Sequence, residues 1–335
     1  MPADPLVRDY LPAAEVALQH FPLEVATLTP VSLAENVTLR VTDVEGSDYA
    51  LRLHRPGYNS LRELESERQW CASLAGSGLP LQSAVQSRDG DHFVVVDIPS
   101  RAERRYAGMT SWLPGVLLGE QFETVRAGQA RADLFCAMGR LAATLHNQSE
   151  AWTPPTGFVR PRLDLEGLVG ESPRWGRFWE HCALDQGEQA LLLEARQHLR
   201  GLLQAYGTPS RTFGLIHADL HPYNIVIEGD SMGLIDFDDC AFGWHLYDLA
   251  SALIEYSDDE DFGELRRALL DGYRERRALP AADERLLASF LLLRGMALVG
   301  WFHQRPEHGD SSFFRRVKER VLSQSAQLLS TEGLT

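Results

Sequence analysis

The chain has 335 residues, of which 44% are hydrophobic and 24% charged, so it is long enough to form two compact parts with real cores. Its net charge of −15 argues against a nucleic acid partner and against docking on an anionic membrane, because both attract lysine and arginine. Four widely spaced cysteines and the absence of a basic, then apolar, N-terminal signal predict free thiols in a reducing cytoplasm.

The first third of the chain predicts one helix, a strand hairpin, a second helix and another strand. Apolar residues recur at helical spacing from Leu6 to Leu18, which predicts an amphipathic helix within the first 30 residues. Residues 37–56 place β-branched and apolar residues on both sides of the turn DVEGSD, as in a hairpin. Residues 60–78 predict a helix that begins with a capping box of Ser60 and Glu63, and residues 92–100 predict a strand.

The rest of the chain is mostly helical in pattern. Residues 106–115, YAGMTSWLPG, mix turn-forming and apolar residues and are interpreted as a crossing between two lobes. The apolar segment 287–302 contains Arg294 and is too short to span a bilayer, so a core helix is predicted there. The expected fold class is α+β, with a small β-rich lobe (1–109), a crossing (110–114) and a larger, mostly helical lobe (115–335).

The stretch HADLHPYN, residues 217–224, carries the strongest chemical signal, and it has two interpretations. On an extended strand alternate side chains share one face, so His217, Asp219 and His221 form a candidate metal triad of a hydrolase. Alternatively, a hairpin around GDSM brings Asn224 and Asp236 to neighbouring strand ends. Asp219, Asn224 and Asp236 then have the spacing of a kinase catalytic loop and its metal-binding aspartate.

Together with IDFDD and YDLA, this stretch resembles the aminoglycoside phosphotransferase and choline kinase superfamily, which shares a bilobal fold with protein kinases. LAENVTLRV, YALRLHRP and MGRLAATLH resemble the first hairpin, the ATP-contacting strand and the helix before the loop. ENVTLRV, LHRPGYNSLRELESE and DFDD carry a weaker resemblance to the stress response kinase A group. The resemblance implies ATP and Mg²⁺ as cofactors and a hydroxyl group as the phosphoryl acceptor.

The resemblance also implies roles for residues in and after the loop. Asp219 would be the catalytic base, and Asn224 and Asp236 would bind Mg²⁺. Asp238 is a further candidate metal ligand, and His221 either positions the loop or contacts the substrate.

Two residues are expected to support this loop without touching the substrate. His217 is expected to pack beneath the loop, and Asp248 is expected to accept hydrogen bonds from the loop backbone. For His217 and Asp248 the expected contribution is therefore structural.

The nucleotide would be bound by the N-terminal part. Arg52 stands where many kinases have lysine and can still neutralise phosphate, with Glu67 as its expected partner and Glu63 and Glu65 as alternatives. No G-x-G-x-x-G is present, so backbone amides between Ser32 and Asn36 are the candidates for contacting phosphates. The adenine edge would meet backbone groups of the crossing, and the candidate residues are Ser111, Trp112 and Leu113.

The acceptor pocket is expected to include residues 255–264, which contain six acidic residues and no basic one, and a cationic acceptor is favoured there. Three functions stay open. The first is a kinase of a small molecule such as an amino alcohol, a homoserine-like metabolite or an aminoglycoside. The second is a protein serine/threonine kinase of the stress response type. The third is a nucleotide-binding pseudokinase, which the missing glycine-rich loop supports; GTP in place of ATP is a further alternative.

Overall fold

A computed structural model describes residues 5–33, 36–125, 128–308 and 311–332. The chain divides into two compact units. The first unit consists of Met1–Val116, Thr153–Val159 and Val226–Asp238. The second consists of Leu117–Trp152, Arg160–Ile225 and Asp239–Thr335.

The first unit is built on an antiparallel sheet with strand order β1-β2-β3-β6-β4, in which β5 also pairs with β6. Alternate residues of the second strand, Val37, Leu39 and Val41, are buried, which is the period of a strand with one face on a core. The elements are α1 (Pro5–Leu18), β1 (Val25–Leu33), β2 (Val37–Asp43), β3 (Asp48–Leu53), α2 (Leu61–Gly76), β4 (Ala84–Val85), β5 (Phe93–Ile98) and β6 (Glu103–Ser111).

The predicted hairpin of residues 37–56 and the capping box of Ser60 and Glu63 are confirmed. The amphipathic helix predicted from Leu6 to Leu18 is present as α1, and the strand β1, which was not predicted, begins at Val25. This strand tolerates Pro30 because it lies at the edge of the sheet, where one side of the backbone needs no partner.

Most of the segment predicted as the crossing, residues 106–115, has strand structure, because β6 extends to Ser111 and pairs with β3. Ala107, Gly108 and Met109 are all buried, and pairing with β3 and with β5 supplies hydrogen bonds to this part of the strand.

Two later segments complete the first unit. The proline-rich segment after Trp152 lies against α2, where Arg62 Nε donates to the Gly157 carbonyl at 2.9 Å. The predicted hairpin between Asn224 and Asp236 is present, and its turn uses Gly229 at φ 59°, in the left-handed region that favours glycine. It forms a sheet of order β11-β10-β7, made of β7 (Val116–Leu117), β10 (Ile225–Glu228) and β11 (Ser231–Leu234).

The second unit is mainly helical, with a small sheet of order β8-β12-β9. Its strands are β8 (Arg162–Leu163), β9 (Phe213–Ile216) and β12 (Ala241–Trp244). Its helices are α3 (Leu118–Thr124), α4 (Gln129–Ala151), α5 (Leu165–Val169), α6 (Gln186–Tyr206), α7 (His245–Leu253), α8 (Phe262–Arg274), α9 (Ala281–Glu284), α10 (Leu287–His303) and α11 (Ser312–Glu332). The predicted α+β class, with a sheet in the N-terminal part and helices in the C-terminal part, is confirmed.

Close packing of α4 on α8 organises the helical core. A Cβ atom added at Gly139 would lie 2.0 Å from the Leu269 carbonyl oxygen, and one at Gly272 would lie 1.9 Å from that of Cys136. Glycine at both positions therefore lets the two backbones approach each other. The apolar segment predicted as a core helix forms α10 and is largely buried. Within the described ranges no helix combines the length and apolarity needed to cross a membrane.

Candidate active site

The loop after β9 begins with a strained turn that α7 holds in place. Ala218 has φ 68°, a left-handed conformation that costs an alanine about 1–2 kcal/mol. Asp248, fully buried in the first turn of α7, accepts the backbone N–H of His217 at 2.9 Å and that of Ala218 at 2.7 Å. Ser251 Oγ donates to the Ala218 carbonyl at 3.3 Å. One helix therefore fixes the backbone that precedes Asp219.

Asp248 has a third polar neighbour in His146 of α4, whose Nε2 lies 3.1 Å from Oδ2. Burial raises the pKa of Asp248 to about 6, although the charge of His217 and the backbone N–H groups of His217 and Ala218 oppose this rise. The carboxylate is accordingly ionised at neutral pH, when it can accept both backbone hydrogen bonds.

Asp219 is held by three side chains. Arg294 of α10 forms an ion pair with Oδ1, and His221 Nε2 lies 3.3 Å from Oδ2. Asn224 Nδ2 donates to the Asp219 carbonyl at 2.9 Å and reaches Oδ2 at 3.2 Å. Burial raises the pKa of Asp219, but the charges of His221 and Arg294 outweigh it and hold that pKa well below its usual range. An ionised carboxylate of this kind accepts a hydrogen bond from a hydroxyl group and orients it.

His221 is held from three sides by its neighbours. The backbone N–H of Tyr223 donates to Nδ1 at 3.2 Å, and Nε2 lies 3.3 Å from Asp219 Oδ2 and 3.1 Å from Asn224 Nδ2. The side chain of His221 thus positions the carboxylate.

Arg294 was noted in the sequence only as an interruption of an apolar helix. It is 7% exposed, and besides the ion pair it places Nη1 3.4 Å from the Ala218 carbonyl oxygen. A single arginine within an otherwise apolar core helix needs a buried anionic or carbonyl partner, and that signal could have marked Arg294 as a site residue.

The interpretation of His217, Asp219 and His221 as a metal-binding triad is wrong. His217 is completely buried, and in the part of the chain that the structure describes no group of three or more His, Cys, Asp or Glu could hold a metal ion. The physical reason is local, since the positive φ of Ala218 breaks the extended backbone on which the three side chains would share a face.

In the first unit, Asp236 follows β11 with φ 62° and a side chain that is 40% exposed. Arg52 Nη1 donates to Asp236 Oδ1 at 2.9 Å. Glu67 lies near enough for its charge to favour the protonated guanidinium of Arg52. The two alternative partners of Arg52 make other contacts, since Glu63 completes the capping box and Glu65 pairs with Arg68 at 2.8 Å.

Asp238 is enclosed by side chains of the first unit. Asn36 Nδ2 donates to Oδ2 at 3.0 Å, Asn59 Nδ2 donates to Oδ1 at 3.1 Å, and His54 Nδ1 lies 3.8 Å from Oδ1. Burial raises the pKa of Asp238, but the contact with His54 and the charge of Arg52 outweigh it, and the pKa lies below its usual range. Both carboxylate oxygens thus have protein donors.

The residues expected to meet the nucleotide lie in the first unit. Ser32 is exposed in β1 opposite Thr38, while Asn36 Oδ1 accepts the backbone N–H of Arg55 at 2.9 Å. Ala34 and Glu35, between the two candidates, lie outside the described residues.

Two of the three crossing residues already use their backbone donors within the first unit. The N–H of Ser111 donates to Ser83 at 2.8 Å, and that of Trp112 donates to Asp48 at 2.9 Å. The Leu113 N–H makes no backbone hydrogen bond to any described residue.

The second unit contains a cavity of about 430 Å³ beside the loop. Tyr223, two residues after His221, lines it, together with Glu255, Tyr256 and Asp259 from the acidic stretch. The other lining residues are Gly119, Phe122, Glu123, Arg131, Phe313, Arg316, Val317 and Arg320.

Residues 27–285 match the model of the phosphotransferase enzyme family, which is well over half of the chain. The chain belongs to this family. It is therefore a kinase that transfers a phosphoryl group to an alcohol group, and the predicted superfamily is confirmed.

Named relatives of this phosphotransferase act on small molecules. Homoserine kinase from Zymomonas mobilis is 30% identical over 270 residues, covering 78% of this chain and 74% of that protein. The structure of a microcompartment-associated aminopropanol kinase has a TM-score of 0.80 and 34% identity, covering 97% of this chain and 99% of that one. Amicoumacin kinase hAmiN with AMP-PNP, Ca²⁺ and Ami has a TM-score of 0.75 at 22% identity, with 94% of each chain covered.

Proposed function

We propose that this phosphotransferase moves the γ-phosphoryl group of ATP, bound with Mg²⁺, to a hydroxyl group of a small acceptor that carries a positive charge. The observation that carries the proposal is the ionised Asp219, whose two carboxylate oxygens are held by Arg294 and His221. Phosphoryl transfer through a loose transition state depends mainly on positioning and charge neutralisation, and a rigid anion that orients the attacking hydroxyl meets that need.

The main proposed role of Asp219 is to orient the acceptor hydroxyl. It does not remove the hydroxyl proton before the attack on phosphorus. Its lowered pKa makes it a weak base, so full proton transfer is favourable only once the new oxygen–phosphorus bond has formed. The preceding Ala218 turn, held by Asp248, keeps the carboxylate from rotating with the loop.

The residues proposed to hold Mg²⁺ offer suitable oxygen atoms. The Asp219 carbonyl can only accept, so the amide nitrogen of Asn224 faces it and the amide oxygen is directed away. No described residue donates to Asn224 Oδ1 or to Asp236 Oδ2, and Mg²⁺ binds such oxygens. When bound, the ion would neutralise charge on the β- and γ-phosphates. Asp238 is not proposed as a ligand, because Asn36 and Asn59 occupy its oxygens.

The first unit is proposed to bind the nucleotide. Arg52 would contact phosphate, with Asp236 and Glu67 fixing its position. The adenine edge would meet the carbonyl of Trp112 and the N–H of Leu113, which no described backbone carbonyl accepts. Nucleotide and a divalent metal are supported by the amicoumacin kinase structure, which contains AMP-PNP and Ca²⁺.

The second unit is proposed to bind the acceptor in the 430 Å³ cavity, where Glu255 favours a cation. The names of the relatives, homoserine kinase and aminopropanol kinase, support a small molecule over a protein substrate. The presence of Asp219, Asn224 and Asp236 together argues against a pseudokinase.

The test uses γ-labelled ATP, Mg²⁺ and cell extract separated into small molecules and proteins, with Asp219→Asn as the blank. We expect label in the small-molecule fraction with the wild type and none with the variant, whose affinity for ATP should stay close to normal. Label in the protein fraction would favour the protein kinase alternative, and near-normal turnover by Asp219→Asn would refute the role of that residue.

A further inference from the structure

The cavity in the second unit is lined by charged side chains of both signs, most of which already have partners. Arg131 pairs with Asp259 at 2.7 Å, and Arg320 forms an ion pair with Asp258. The Tyr223 hydroxyl donates to Glu123. These charges are therefore satisfied within the protein itself.

Two charged side chains that line the cavity have no charged or hydrogen-bonding partner among the described residues. Glu255 and Arg316 are both exposed, and with the described residues neither forms an ion pair or a side-chain hydrogen bond. They also do not pair with each other, so the cavity offers a carboxylate and a guanidinium at separate places. A ligand that carries both an ammonium and a carboxylate group can pair with both.

Glu255 lines the same cavity as Tyr223 of the loop, so a ligand that pairs with Glu255 lies beside the loop. Phe122 and Tyr256, with ring centroids 5.6 Å apart, form an aromatic wall suited to methylene groups.

Building on the proposed function, we propose that the acceptor is a hydroxy amino acid whose ammonium group pairs with Glu255 and whose carboxylate pairs with Arg316. The planar guanidinium matches a carboxylate with two parallel hydrogen bonds. An amino alcohol of the same length would satisfy Glu255 and leave Arg316 unpaired.

The reaction balances without a further reactant. The acceptor hydroxyl oxygen bonds to the γ-phosphorus, and the bond from that phosphorus to the β,γ-bridging oxygen breaks. The products are ADP, the O-phospho amino acid and one proton, which leaves the hydroxyl by way of Asp219. The charges of Glu255 and Arg316 orient the acceptor and do not take part in the transfer.

The test compares kcat/KM for acceptors that differ by one charged group. Homoserine and threonine are matched with their decarboxylated forms, aminopropan-1-ol and aminopropan-2-ol, and with the hydroxybutanoates that lack the amine. We expect the wild type to prefer the amino acids by about 10- to 100-fold over either partner, since one charge-assisted hydrogen bond contributes that much. The comparison with amino alcohols is a stringent test of the proposal, because the chain is similar to an aminopropanol kinase.

Two variants, each with a control at a nearby residue, test which group of the acceptor pairs with Glu255 and which pairs with Arg316. Arg316→Gln should reduce kcat/KM for amino acids by about 10- to 100-fold and bring the ratio of amino acid to amino alcohol near one. Arg315→Gln removes a neighbouring exposed arginine that does not line the cavity and should preserve the ratio. Glu255→Gln should reduce activity on both amines relative to the hydroxybutanoates, whereas Glu260→Gln, outside the cavity, should not.

The outcomes separate this inference from the proposed function. A wild type that prefers amino alcohols, or an Arg316→Gln variant with an unchanged ratio, would overturn the amino acid assignment alone. So would label in the small-molecule fraction of extract without turnover of any of the six compounds. Absence of label from that fraction would overturn the proposed function and this inference together.

Discussion

Replacing Arg294 by methionine tests how Asp219 is held. Methionine has a similar length and suits the apolar surroundings of α10, but it removes the ion pair to Oδ1 and the contact with the Ala218 carbonyl. The Asp219 side chain is 26% exposed, so water can solvate the abandoned carboxylate in part.

The expected effects on stability and on rate differ in size. Loss of a charge-assisted hydrogen bond costs about 1.5–3 kcal/mol, and His221, Asn224 and water still contact the Asp219 carboxylate in the variant. The free energy of unfolding should therefore fall by about 1.5–3 kcal/mol, which is less than the cost of leaving a fully buried charge without a partner. Misplacement of the orienting carboxylate, in contrast, should lower kcat by about 100-fold.

The pH dependence of kcat is an independent test of the same residue, because the direction of its change can be predicted. The charges of His221 and Arg294 lower the pKa of Asp219, so loss of Arg294 leaves burial less opposed and raises that pKa. Activity requires the ionised form, which is lost as pH falls through the pKa. The acid limb of kcat should therefore move to higher pH in the variant, by about one to three on the pH scale.

The assay is kcat as a function of pH together with urea unfolding. Arg305→Met is the matched control, because Arg305 is 6% exposed and packs on Trp301 instead of Asp219. Normal kcat and an unshifted acid limb in Arg294→Met would refute the claim that Arg294 positions and ionises Asp219. A similar loss of kcat in both variants would trace the effect to general destabilisation.

Three further changes test the metal site, the helix packing and the loop support. Asp236→Ala should weaken binding of Mg-ATP measured by calorimetry, and an unchanged affinity would contradict its proposed metal role. Gly139→Ala should lower the free energy of unfolding by about 1–3 kcal/mol, because the new Cβ would lie 2.0 Å from a carbonyl oxygen of α8. Gly201→Ala, with nothing within 4 Å, should instead raise it by about 0.4–1 kcal/mol, so equal effects in urea unfolding would refute the packing argument. Asp248→Asn should cost about 1–3 kcal/mol and reduce kcat, since an amide N–H₂ would face a backbone donor; wild-type unfolding and kcat would contradict this.

Local patterns in the sequence were sufficient for much of the fold. The hairpin of residues 37–56, the capping box of Ser60 and Glu63 and the hairpin before Asp236 involve residues close together along the chain, so their spacing carries the information. Local patterns failed where the environment decided. The strand from Val25 and the extension of β6 to Ser111 owe their state to neighbouring strands that supply hydrogen bonds.

The same division holds for the candidate site. The spacing of Asp219, Asn224 and Asp236 by itself determined which residues to examine and which chemistry to expect.

The tertiary structure alone decided their partners, because side chains far apart in sequence meet only when helices and strands pack. Arg294 reaches Asp219 from 75 residues away, and Asn36 reaches Asp238 across 202. Whether a charge in the acceptor cavity is already neutralised depends on every surrounding element, which is why Glu255 and Arg316 could be recognised only in the folded chain.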